Sequence, residues 1–158
     1  MIAEIFVNKE YTWGDFDIKH NDVVVDIGAH RGVFVAYAAQ RTRNKIVAFE
    51  PDDENFSQLQ ALIVENKWSH VDVINTAVTG GPSHQVELFS GHSTSRHTFL
   101  GKDVVTGSPL SRSKLVKAIT LDEVLDSLSS VDLLKMDCEG AEFSIISAAD
   151  SAVIRKAK

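Results

Sequence analysis

Three segments carry the residues with the clearest chemical potential. The first is Asp26-Ile27-Gly28-Ala29-His30-Arg31-Gly32. It follows the apolar run Val23-Val24-Val25 and precedes Val33, Phe34, Tyr37 and Ala38, which recur at helical spacing. A glycine-bearing turn between a strand and a helix is where an open α/β sheet binds a nucleotide-like ligand. Gly28 suits a tight turn that a Cβ would hinder, and a helix start offers free N–H groups to an anion. A dinucleotide fingerprint needs glycine at positions 28, 30 and 33, where this chain has Gly28, His30 and Val33. That spacing disfavours a nicotinamide dinucleotide. It fits S-adenosylmethionine, whose amino-acid carboxylate and amine need less backbone clearance. A plain tight turn ahead of a helix is the bland alternative.

The second segment is Ile46-Val47-Ala48-Phe49 followed by Glu50-Pro51, with Glu50 placed 22 residues beyond Gly28. An acid about 20 residues after such a turn can accept hydrogen bonds from both ribose hydroxyls. A solvated carboxylate at a strand end is the alternative. Further on, Asn75-Thr76-Ala77 stands where adenine edges are held in such sheets, so a backbone N–H or the side-chain amide there can pair with adenine. The third segment is Lys135-Met136-Asp137-Cys138-Glu139-Gly140-Ala141-Glu142. Its carboxylates can orient a substrate hydroxyl, offset a sulfonium, or bind a hard cation. They can equally cap a helix. Glu142 is the best capping candidate and Asp137 the best functional one. Gly140 permits a close backbone approach. The acids beside Cys138 work against a thiolate nucleophile.

Positioning these groups requires a parallel sheet. The apolar runs place strands at 23–28, 45–50, 71–78 and 131–137, separated by helical patterns. The spatial order expected is 3-2-1-4, with every strand's C-terminal end on one edge and the ligand at the switch between strands one and four. Asp52, Asp53 and Glu54 open the second helix, whose stripe is Phe56, Leu59, Leu62 and Ile63. Residues 79–119 break the rhythm and read as an excursion of short antiparallel strands, not a second domain. Thr120 and Glu123 form a capping box. The helix from Gly140 onward is expected to bury Phe143, Ile146 and Ala149. The whole of 1–158 reads as one domain, consistent with its length.

Composition narrows the function. The 158 residues are 44% apolar and 24% charged, as in a folded globular domain, and the formal net charge is −6. An acidic chain without a basic cluster is a poor partner for nucleic acid. No apolar run approaches the roughly 20 residues of a membrane span, and no signal peptide is read at the N-terminus. One cysteine permits no intrachain disulfide, so a cytoplasmic setting is expected. The histidine spacings match no common zinc pattern, and no metal site is predicted.

With these residues in hand, the chain resembles FkbM-type S-adenosylmethionine-dependent methyltransferases. The matching stretches are Val24–Gly32, Val47–Pro51, Asn75–Val78, Ile119–Glu123 and Leu133–Glu142, in family order from about residue 20 to 150. The Lys-x-Asp-x-Glu-Gly-Ala-Glu block is the most diagnostic. The resemblance implies an α/β, Rossmann-like class I methyltransferase fold and O-methylation of a hydroxyl on a small molecule or sugar. The cofactor set is then Asp26, Gly28, Ala29, His30, Gly32, Glu50, Pro51, Thr76, Ala77 and Asp137. The base candidates are Asp137, then Glu139 and His30. The family usually has asparagine at position 30, and His30 is expected to serve the cofactor pocket. Such sheets normally gain further strands after residue 150. They are not read here, so either the chain is truncated or a second copy covers the exposed edge of the fourth strand. A non-catalytic cofactor- or partner-binding module of the same fold is the alternative function.

Overall fold

A computed structural model describes residues 17–82, 84–90, 97–98, 112–138 and 140–155. The N-terminal half alternates β1 (Val24–Ile27), α1 (Val33–Ala39), β2 (Ile46–Phe49), α2 (Asp53–Asn66) and β3 (Val71–Ile74). Strand β8 (Leu133–Met136) adds to the other side of β1, giving an all-parallel sheet of order β3-β2-β1-β8. This is the expected 3-2-1-4 order. In β1 and β2 every residue is buried, as a parallel strand covered on both faces requires.

Period-two alternation splits the core. Val24, Ile46, Ala48 and Val71 pack with Phe34, Val35, Tyr37 and Leu59 beneath α1 and α2. Val25, Ile27, Val47 and Phe49 face the opposite way. They meet Leu121, Val124 and Leu125 of α3 (Leu121–Asp126) and Ile145 of α4 (Glu142–Ala148). The result is helices on both faces of one sheet. Helix α2 starts at Asp52, whose carboxylate accepts from the Glu54 and Asn55 N–H groups at 3.0 and 3.1 Å. The Thr120–Glu123 capping box forms as expected at the start of α3.

Three expectations need correction. The third strand does not run through to residue 78. It ends at Ile74, and β4 (Ala77–Thr79) joins a second sheet of order β4-β7-β5-β6. There β7 (Arg112–Thr120) pairs parallel with β4 and antiparallel with β5 (Gln85–Ser90), while β6 (His97–Thr98) pairs with β5. The excursion is therefore a mixed sheet that begins before residue 79. A continuous apolar run cannot reveal such a change of sheet, because both halves are buried against something. The face of α4 is also different. Ile145 is fully buried, whereas Phe143 is 83% and Ile146 48% exposed. The chain then turns into α5 (Ser151–Ile154), capped by Asp150. Among the described residues, β8 has no neighbour on its outer side.

Candidate active site

The parallel register brings the C-terminal ends of β1, β2, β3 and β8 to one edge. Backbone bonds extend the ladder past the strands and lock the turns together. Gly28 and Ala29 both donate to Phe49 O at 3.0 Å, Glu50 donates to Ile74 O at 3.1 Å, and Asp137 donates to Ile27 O at 3.0 Å. Gly28, Glu50, Thr76 and Asp137 thus share one rim, as the sequence predicts.

Gly28 has φ +80°, and a Cβ there would lie 2.2 Å from the Asp137 carbonyl oxygen. Only glycine lets the first turn pass this close to the end of β8. His30 is also left-handed, at φ 52°. Histidine is among the side chains that tolerate this region best. The His30 N–H donates to Glu50 Oε2 at 2.7 Å, and its Nδ1 is buried in protein. The geometry suits a turn-forming residue rather than a base. Gly32 donates to Ala29 O at 2.9 Å. The N–H groups of Gly28, Ala29, His30 and Gly32 are thus all engaged by protein acceptors.

Glu50 is buried. Its Oε1 accepts from the Asp52 N–H at 2.9 Å while Oε2 takes the His30 N–H. Burial raises its pKa above the usual carboxylate value, and these two N–H groups oppose the rise. The fully buried Asn55 amide lies beside it and favours the ionised form, although neither of its polar atoms completes a well-aligned hydrogen bond. The Asn75 amide donates to the carbonyls of Glu50 and Pro51 at 3.1 and 3.3 Å. It braces the turn after β2, so its donor is not left for adenine. Thr76 is buried next to it, and Ala77 is buried as the first residue of β4.

The residue that sequence reasoning passed over is Lys135. Its side chain is 9% exposed, and its Nζ lies 3.0 Å from Asp26 Oδ1 and 3.9 Å from Asp137 Oδ2. It also donates to Gly28 O at 3.2 Å. The contact with Asp26 is an ion pair off the best hydrogen-bond angle. Asp26 is fully buried, and desolvation raises its pKa even though Lys135 pulls the other way. One ammonium therefore links the buried acid of β1, the first turn and the rim acid of β8. Its signal was the Lys-x-Asp spacing: in a strand, residues two apart share a face.

Asp137 projects from the rim with its side chain 60% exposed. Contrary to expectation, Glu142 does not cap its helix, whose N-cap is Ala141 with no side-chain cap bond; its carboxylate instead folds back on the preceding loop, accepting from the N–H groups of Cys138 and of Gly140 (3.0 Å for the latter). Burial and the Glu142 charge push the Cys138 thiol up to about 12, which leaves it protonated and unreactive. Glu139, a candidate base, lies outside the described residues. No group of three His, Cys, Asp or Glu side chains that could hold a metal is found among the described residues. No described helix is long and apolar enough to cross a membrane.

A four-stranded parallel sheet with helices on both faces, carrying an acid and a glycine turn at its switch edge, defines a Rossmann-like α/β domain. The Methyltransferase FkbM domain model matches residues 26–157, and the chain belongs to that family. Among solved structures, the methyltransferase FkbM of Methylobacillus flagellatus KT superposes with a TM-score of 0.57 at 16% identity, covering 94% of this chain and 33% of that one. A precorrin 8W decarboxylase of Methanobacterium thermoautotrophicum gives 0.50 at 16% identity, covering 89% and 51%. These two establish likeness of fold. The AMB antimetabolite synthetase AmbE of Pseudomonas aeruginosa is 25% identical, over 98% of this chain and 9% of its own length. The chain thus spans only a small part of that curated relative and about half or less of the two structures.

Proposed function

We propose that this chain is an S-adenosylmethionine-dependent methyltransferase domain that methylates a hydroxyl on a small molecule or sugar. The observation that carries the reading is Glu50: a buried carboxylate at the end of β2, hydrogen-bonded to the turn after β1. Each of its oxygens accepts one backbone N–H and keeps a lone pair for a ribose hydroxyl. The residues present fit the cofactor in this respect. Gly28, Ala29, His30 and Gly32 would line its amino-acid side, and Pro51, Thr76 and Ala77 its base side. Bound there, S-adenosylmethionine supplies an electrophilic methyl group.

The chain's own residues supply alignment and a proton acceptor. Methyl transfer is an in-line displacement, so fixed positions contribute most of what a protein can add. An alcohol oxygen must also lose its proton before or during attack. Asp137 stands exposed on the rim beside the Gly28 turn and is the carboxylate best placed to take that proton on Oδ1 or Oδ2. Lys135 holds Asp137 from behind while it neutralises Asp26.

Calorimetric titration with S-adenosylhomocysteine tests the cofactor site. Micromolar binding by the wild type, weakened at least tenfold in Glu50→Gln, supports it. A well-folded chain that binds nothing overturns the reading. Asp137→Asn is expected to lower turnover with hydroxyl acceptors while leaving cofactor affinity nearly intact. Equal turnover would remove Asp137 from the role, and binding without transfer to any acceptor would favour a non-catalytic module.

A further inference from the structure

We propose that Lys114, on the long strand of the second sheet, is a positioning residue for the ribose-side carboxylate Glu50. The inference rests on the cofactor reading above and deepens it. It begins with a reversal in the burial pattern of β7. Lys114 pairs directly across from Leu88 on β5, so the two side chains share a face. Leu88 is buried, and Val116 and Ala118 continue the same inward alternation. On the opposite face, Leu115 is 70% exposed. A hairpin with one covered face normally turns its leucine inward and its lysine outward. Here the lysine takes an inward position, and the reason is visible at its tip.

The Lys114 Nζ lies 2.9 Å from Asp53 Oδ2 and 3.3 Å from Asp52 Oδ2. These carboxylates belong to the acidic run Glu50-Pro51-Asp52-Asp53-Glu54. Such a run repels itself, and the Asp52 charge works against ionised Glu50. Asp52 nevertheless does three jobs at once. Its N–H holds Glu50 Oε1 at 2.9 Å. Its Oδ1 caps the Glu54 and Asn55 N–H groups. Its Oδ2 faces Lys114. The ammonium supplies the positive charge that lets Asp52 stay seated, and so ties the second sheet to the residue that fixes Glu50. The pair joins residues 61 positions apart in sequence, so it forms only when the second sheet is docked.

The test compares Lys114→Met and Lys114→Arg with Lys117→Met, which removes an outward-facing lysine from the same strand. Each is made in the full 158-residue chain and titrated with S-adenosylhomocysteine after its thermal unfolding has been checked. The dissociation constant is expected to rise roughly three- to tenfold in Lys114→Met, the scale of one charge-assisted contact in a part-exposed site. Lys114→Arg and Lys117→Met should stay within about twofold, the level at which a single surface charge is worth little. Affinity unchanged in Lys114→Met, or lost equally in Lys114→Arg, overturns the proposal.

Amide hydrogen exchange provides a readout that does not depend on the cofactor. The Glu54 and Asn55 N–H groups should exchange about tenfold faster in Lys114→Met than in the wild type or in Lys117→Met, as a weakened cap frays the first turn. Unchanged protection also overturns the proposal. A wild type that fails to bind S-adenosylhomocysteine, yet shows this exchange difference, would defeat the cofactor reading and leave the link between Lys114 and α2 standing.

Discussion

Removing Lys135 should expose how the rim is held. In Lys135→Met the thioether occupies the space of the lysine stem but leaves Asp26 without its counter-charge. Asp26 is fully buried and Lys135 only 9% exposed, so solvent offers little compensation. Breaking a buried pair by deleting one partner costs about 3–5 kcal/mol. Against a total stability of roughly 5–15 kcal/mol, that is a large fraction. For a chain of this length it corresponds to a fall in Tm of about 6–20 °C, at roughly 2–4 °C per kcal/mol. Adding Asp26→Asn should restore much of the loss, because the buried charge is then gone.

The pH dependence of Lys135→Met has a definite sign. The folded pKa of Asp26 is raised above its ordinary value by desolvation. Its stabilising contribution is therefore complete below the unfolded value of about 3.9 and lost as pH rises through the folded pKa. Without Lys135 the folded pKa climbs further, so more stability is lost over a wider span. The gap between variant and wild type should widen as pH rises above the ordinary carboxylate range. Thermal unfolding followed by circular dichroism across that rise is the assay. A gap that stays constant with pH, a loss under about 1 kcal/mol, or no rescue by Asp26→Asn would refute the reasoning.

Other expectations follow from single contacts. Gly28→Ala combines a left-handed φ with a Cβ driven onto the Asp137 carbonyl, and should cost about 2–4 kcal/mol in denaturant unfolding. Gly81→Ala, where a Cβ meets nothing within 4 Å, should change stability by no more than about 0.5 kcal/mol. Thr120→Ala removes one half of the capping box and should cost about 1 kcal/mol in the same experiment. With its pKa near 12, Cys138 should react with a disulfide reagent far more slowly in the native chain than in denaturant at pH 8. Equal rates would show that the thiol is neither buried nor shielded by Glu142.

Continuous apolar runs ending in a chemically marked residue were enough to place β1, β2 and β8 and to order them. Strands buried on both faces, as β1 and β2 are, have few other sequences open to them, while β8 is part-buried throughout. The turn glycine and the acid 22 residues on identified the rim, because a parallel sheet sends every strand end to one side. Harder to read were α4, where Phe143 and Ile146 are expected in the core but are 83% and 48% exposed, and the run from 71 to 78. Hydrophobicity reports that a residue can be buried. It does not say which of two sheets will bury it.

Residue types and their spacing are enough for the parallel framework, its strand order and the chemical kinds on its edge, since these depend on periodicity and on residues near in the chain. Which polar atoms meet is settled by the folded arrangement alone. Lys135 reaches Gly28 across 107 positions and Lys114 reaches Asp53 across 61, and both contacts depend on docking distant strands to within an ångström. The turn's N–H groups at Gly28, Ala29 and His30 are claimed by Phe49 and Glu50 once the chain is folded. The physical reason is the cost of burying an unpaired polar group: the fold finds partners for these atoms, and partners far apart in sequence carry no local signature.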